Sequence, residues 1–144
     1  MIEYCDLSIS DSLDISIIEK ETFSDPWSLD VIKETFNFGL YTYYGAKDNG
    51  KLIAYCGYDK VIDEFHIGNI AVVRTYRRQH IADNMIKEVI KRAKEQNVVG
   101  ITLEVRESNK AAINLYLNNG FVNSGIRPHY YQDGENAIIM WKHL

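Results

Sequence analysis

Three places in this sequence carry residue types that can do chemistry. Arg74, Arg77 and Arg78 fall within five residues of each other, in the run Arg74-Thr75-Tyr76-Arg77-Arg78-Gln79-His80-Ile81-Ala82. That run lies between a strand-like stretch and a helix-like one. The first N–H groups of a helix lack internal partners and carry partial positive charge, so a loop feeding a helix is a ready site for phosphate. Arginines add charge and bidentate donors. The same run also fits a solvated basic turn. Glu104 stands in Ile101-Thr102-Leu103-Glu104-Val105, on the side opposite the apolar residues. A carboxylate there can act as a base or simply face water. Tyr116 follows twelve residues later. Its phenol can give a proton, or pack in a core beside Ala112 and Leu115.

The elements that must position these groups follow from the patterning. Leu13, Ile17 and Ile18 at helical spacing predict a helix over 11–23. Ser24-Asp25-Pro26-Trp27 ends it. Ser28 reads as the N-cap of a short second helix through Phe36, with Asp30 in its first turn. Strands are expected over 41–47 and 51–60, joined at Asp48-Asn49-Gly50, a strong hairpin signal. A third strand over 65–73 ends in Ile70-Ala71-Val72-Val73. Ile81, Met85, Val89, Ile90 and Ala93 then make one face of a helix that stops at Asn97. A strand over 99–105 follows, and a helix over 109–118 stopping before Gly120, a C-cap signal. Strands over 121–127 and 137–140 close the chain. The central strand–helix–strand unit implies a right-handed crossover between parallel strands. Ligands of open sheets favour the carboxyl ends of strands, which fall near Val73 and Glu104.

Composition bounds the rest. The 144 residues suit one domain, with 46% apolar and 25% charged residues. These figures exclude disorder, collagen and coiled coil. No apolar run approaches the roughly 20 residues of a membrane span, so no membrane partner is expected. The opening Met1-Ile2-Glu3-Tyr4-Cys5-Asp6 lacks the basic and apolar regions of a signal peptide, and a cytoplasmic location is expected. Cys5 and Cys56 fit no metal or redox spacing and read as reduced thiols. His66, His129 and His143 show no ligand spacing either, so no metal is expected. The net charge of −4 argues against direct nucleic-acid contact and suits a small molecule or cationic peptide. A monomer is favoured.

Asn69-Ile70-Ala71-Val72 followed by Arg77-Arg78-Gln79-His80-Ile81-Ala82 resembles the acetyl-CoA signature of the GNAT superfamily of N-acetyltransferases. That signature runs Gln/Arg-x-x-Gly-x-Gly/Ala, with Arg77 in the first position and Ala82 in the last. Phe23 with Pro26-Trp27-Ser28, Leu103-Glu104-Val105-Arg106 with Ser108-Asn109, Leu115-Tyr116, Gly120-Phe121, Arg127 with Tyr130-Tyr131, and Ala137-Ile138-Ile139-Met140 stand in order. Together they resemble the bacterial ribosomal-protein-alanine N-acetyltransferases over nearly the whole chain. The resemblance implies a single α+β domain of the GNAT fold, with a mixed central sheet of about six to seven strands flanked by about four helices.

It also implies direct transfer of acetyl from acetyl-CoA, the co-substrate, to the N-terminal alanine of small-subunit ribosomal protein bS18. Acyl transfer needs the amine to lose a proton, the oxyanion to be stabilised and the thiolate to leave. By resemblance, Glu104 is the general base and Tyr116 the general acid. Ile70, Ala71 and Val72 hold the pantetheine, and the Val72 N–H serves the oxyanion. Arg77, Arg78, Gln79, His80, Ile81 and Ala82 hold the pyrophosphate, and Asn109 contacts the acetyl-CoA unless it is only a helix cap. Tyr130 and Tyr131 line the peptide groove, with Trp27 on the opposite loop. Asp63, Glu64, Asp133 and Glu135 are expected to make its mouth acidic. His80 replaces the signature's first loop glycine. Bulk at this position is expected to weaken acetyl-CoA binding without abolishing it. The alternatives are other protein N-termini, a small amine, or an acyl-CoA-binding module without turnover.

Overall fold

The computed structural model describes residues 1–39 and 41–144. Its seven strands are β1 (Ile2–Asp6), β2 (Thr42–Asp48), β3 (Lys51–Val61), β4 (Glu64–Val72), β5 (Gly100–Arg106), β6 (Val122–Arg127) and β7 (Ala137–His143). Its helices are α1 (Ser12–Thr22), α2 (Leu29–Asn37), α3 (Ile81–Glu95) and α4 (Lys110–Asn118). The sheet order is β1-β2-β3-β4-β5-β7-β6. β4 and β5 are parallel, and β1–β2, β2–β3, β5–β7 and β6–β7 are antiparallel. This is the mixed α+β architecture expected, with one strand, β1, that the patterning did not reveal.

The chain forms two compact units, Met1–Asp59 with Asn69–Met85, and Lys60–Gly68 with Ile86–Leu144. In the first, β2 and β3 meet at Asn49 and Gly50, both with positive φ (50° and 85°). That is the geometry a two-residue turn demands of strands with right-handed twist. Ser28 caps α2 by accepting the Val31 N–H at 3.2 Å. Leu7, Ile15, Ile18, Ile32, Tyr43, Leu52, Tyr55 and Ala71 form the core of this unit. The buried stripe of α1 is therefore Ile15, Ile18 and Glu19, whereas Leu13 and Ile17 face solvent. Of the three apolar residues that signalled this helix, only Ile18 is buried, because Ile15 and Ile18 pack into the core.

In the second unit β5 alternates as expected. Ile101, Leu103 and Val105 are buried, and Thr102, Glu104 and Arg106 are partly open. Gly100 opens β5 because β7 crosses tightly there. A Cβ at that position would stand 2.4 Å from the Trp141 ring and 2.6 Å from the Lys142 carbonyl. Asn109 caps α4 by accepting the Ala112 N–H at 3.2 Å. Among the described residues, no helix is long and apolar enough to cross a membrane, and no group of His, Cys, Asp and Glu could hold a metal.

Candidate active site

The basic loop lies in the first unit. After β4 the chain makes one 3-10 turn over Arg74–Tyr76, extends at Arg77 and enters α3 at Ile81. Arg78 and His80 are both left-handed, with φ of 64° and 61°. Turns that mix right- and left-handed residues can build concavities of N–H groups that take anions, and these two residues immediately precede the N-terminus of a 15-residue helix. The loop is held from three directions. The Tyr76 hydroxyl donates to Asp48 at 2.7 Å, the Arg77 Nε to the Val72 carbonyl at 3.0 Å, and the Asn84 N–H to the His80 carbonyl at 3.0 Å. Arg78, Gln79 and His80 remain exposed. The departure at His80 falls where a glycine would be free of strain. Histidine is among the side chains that tolerate this conformation, so the backbone path survives the substitution. Ala71 belongs to the core, while Ile70 and Val72 are half-buried.

The two residues expected to move protons, Glu104 and Tyr116, lie in the second unit. Glu104 projects from β5, its side chain 13% exposed. His66 lies on β4, whose parallel register sets it opposite Thr102, two residues before Glu104 on the same face. The His66 Nε2 is 3.1 Å from the Glu104 Oε2. The Arg127 Nε stands 3.9 Å from the other carboxylate oxygen, and the Tyr130 hydroxyl donates to that oxygen at 3.5 Å. The hydrogen bond from His66 holds the Glu104 carboxyl below its ordinary value. Burial works against this, and the charges of His66 and Arg127 add to it. Tyr116, on α4, is buried with its ring edge-on to Phe121 at 5.6 Å.

The connection between β6 and β7 carries Tyr130 and Tyr131, packed edge to face at 5.1 Å. Arg106, from the end of β5, organises it. Its guanidinium lies 4.1 Å over the Tyr131 ring and donates to Asp133 at 2.8 Å and Glu135 at 2.9 Å. Glu135 also accepts the Ser108 N–H at 2.8 Å. Burial pushes the Tyr131 phenol up to about 12, partly opposed by the Arg106 charge, so the ring stays neutral. Burial and the Glu104 charge raise the Tyr130 phenol as well.

Not all the expected acidic residues join this site. Asp133 and Glu135 are consumed by Arg106. Glu64 pairs with Gly100 at the amino ends of the parallel strands. Four residues at ~3.3 Å each put it about 13 Å down the strand from the level of Glu104. Asp63 precedes it, its carbonyl accepting the Val99 N–H at 2.7 Å. In the first unit, Trp27 packs on the core and meets Tyr41 edge-on at 5.4 Å. His66 is the residue the sequence left aside. Its spacing speaks only to metal binding, and no short-range signal pairs it with Glu104.

The chain belongs to the GNAT family of acetyltransferases: the pattern of the Acetyltransferase (GNAT) family matches residues 13–121. It is 39% identical to the Escherichia coli K12 [ribosomal protein bS18]-alanine N-acetyltransferase over 129 residues, which is 85% of this chain and 84% of that protein. The crystal structure of the ribosomal-protein-S18-alanine N-acetyltransferase from Escherichia coli superposes with a TM-score of 0.87 at 34% identity, covering 99% of this chain and 94% of that one. The NatC complex bound to Gag peptide and CoA contains a chain that matches at 26% identity and a TM-score of 0.88, covering 99% and 98%.

Proposed function

We propose that this protein acetylates the N-terminal alanine of ribosomal protein bS18, drawing acetyl from acetyl-CoA as its co-substrate. The observation that carries the chemistry is the Glu104 carboxylate, anchored by His66 at 3.1 Å at the carboxyl end of a strand. The acceptor is read from the relatives that share about two-fifths of the sequence across most of their length. The family match runs through segments of both units, which supports reading residues 1–144 as one acetyltransferase domain. A ribosomal protein as substrate supports a cytoplasmic place of work.

The pyrophosphate of acetyl-CoA suits the loop 77–82, where helix N-terminal amides, left-handed backbone and exposed arginines coincide. Ile70, Ala71 and Val72 serve the pantetheine side, and the Asn109 amide remains a donor while its oxygen caps α4. Glu104 is ionised at neutral pH and ready to accept a proton. A carboxylate below its usual range is poorly matched to an α-ammonium of pKa about 8. Its role is therefore to order the amine, or a water beside it, and to take the proton as the N–C bond forms. His66 fixes the carboxylate and keeps it charged. Tyr116 is the proton donor to the departing thiolate. Tyr130 and Tyr131 line the peptide side, and Trp27 contributes an acceptor wall.

The test is mass spectrometry of an alanine-starting bS18 peptide incubated with the protein and acetyl-CoA. One acetyl on the α-amine, lost with Tyr116→Phe, is expected. Calorimetric acetyl-CoA binding without transfer to any peptide, polyamine or aminoglycoside would leave only a binding module.

A further inference from the structure

A second carboxylate, Glu19, is buried in the first unit and has no place in the chemistry above. Only 2% of it is exposed, and it shares the buried stripe of α1 with Ile15 and Ile18. Three donors converge on it. The Trp27 N–H reaches Oε1 at 2.9 Å, the Asn69 side-chain amide reaches Oε2 at 3.0 Å, and the Tyr55 hydroxyl also donates to Oε2. These donors come from the α1–α2 connection, from β4 and from β3. Burial raises the Glu19 carboxyl above its ordinary value, opposed by the bonds from Trp27 and Asn69. Burying a carboxylate on an apolar stripe is costly unless its lone pairs are filled. An apolar residue would cost less there, but it could not bind a main-chain N–H of one segment and side chains of two others.

Both ends of this tether are informative. Trp27 belongs to the segment read above as an acceptor wall. Asn69 directly precedes Ile70-Ala71-Val72, the segment read as the acyl-donor side. Glu19, Trp27, Tyr41, Tyr43, Tyr55 and Asn69 line one small pocket together. We propose that Glu19 is a positioning residue that holds the α1–α2 connection to β4 through Asn69 and so sets the affinity for the acceptor peptide. This rests on the reading of Trp27 as part of the acceptor wall.

Two readouts test it. The first is steady-state kinetics of Glu19→Gln and Glu19→Ala, with the active fraction counted by calorimetric titration with CoA. Peptide KM is expected to rise by about tenfold or more, with kcat changed by less than about threefold and CoA affinity within about twofold. The second needs no turnover. The chain has two tryptophans, so a Trp141→Phe background leaves Trp27 as the reporter of the connection. Acrylamide quenching of its fluorescence is expected to rise about twofold or more when Glu19 is replaced. If Glu19→Ala does not fold, Glu19→Gln carries both arms. A lower melting temperature with unchanged peptide KM overturns the proposal and makes Glu19 a fold residue only. Unchanged quenching overturns the tether itself. If the wild type leaves the peptide unacetylated, it is the acceptor reading that fails, and the quenching arm alone decides whether Glu19 holds the connection.

Discussion

Glu19 and Glu104 are the same side chain under opposite rules. Glu19 sits in a packed interior among neutral donors, and burial is the largest influence on it, so its carboxyl is raised. Glu104 sits at a strand end beside an imidazole and a guanidinium, and the hydrogen bond from His66 is the largest influence, so its carboxyl is lowered. Charge partners keep the Glu104 carboxyl ionised where it meets solvent. A carboxylate that only holds chain segments together needs filled lone pairs and no water. The two environments set opposite pH behaviour for the two carboxylates, which variants can read separately.

The largest effect that would break this contrast is on turnover. Glu104→Gln is expected to lower kcat by about 10²–10⁴-fold, the span of a lost general base. CoA affinity measured by calorimetry should stay nearly unchanged. Full turnover in that variant would remove Glu104 from the reaction and leave two structural carboxylates.

A smaller effect sharpens the same contrast through pH. Both carboxyls share an ordinary value of 4.5. For Glu19 the folded state holds its proton more tightly than the unfolded chain, so stability falls as pH rises from 4.5 through its raised value. For Glu104 the folded state holds its proton less tightly. Its contribution is complete above 4.5 and lost as pH falls through its lowered value. Glu19→Gln should therefore gain on the wild type with rising pH above 4.5. Glu104→Gln should lose its disadvantage as pH falls below 4.5. Urea unfolding of the three proteins across pH 3–8 checks both slopes, and slopes of the same sign would erase the distinction.

The smallest expected effect is a control on both. His80→Gly releases a left-handed non-glycine residue worth about 1 kcal/mol of backbone strain or less. It also removes bulk from the loop. Tighter acetyl-CoA binding is expected by calorimetry, with both pH slopes unmoved. Unchanged affinity would mean that this side chain is harmless to the co-substrate.

Much of this was legible in one dimension. Local signals are short-range physics: Ser28 and Asn109 cap their helices through bonds three residues long. Asn49-Gly50 turns where only its own backbone freedom matters, and the alternation in β5 put Glu104 on its open face. The signature around Arg77–Ala82 falls on the loop that enters α3, and its odd residue, His80, adopts the conformation that a glycine would take freely. β1 escaped because five residues with mixed burial carry no clear period.

What remained needed three dimensions. His66 meets Glu104 only because β4 and β5 run parallel in one register, with residue 66 opposite residue 102. The same register carries Glu64 away to the other end, so one pairing made one neighbour and unmade another. Glu19 was hidden among residues of a helix with two plausible apolar faces. Which face turns inward is decided by the packing of Ile15 and Ile18 into the core, not by the helix itself. Side-chain type and local spacing are properties of a few adjacent residues, and sequence determines them. Strand register and the choice of buried face are settled by contacts between residues tens of positions apart, and only the folded chain decides those.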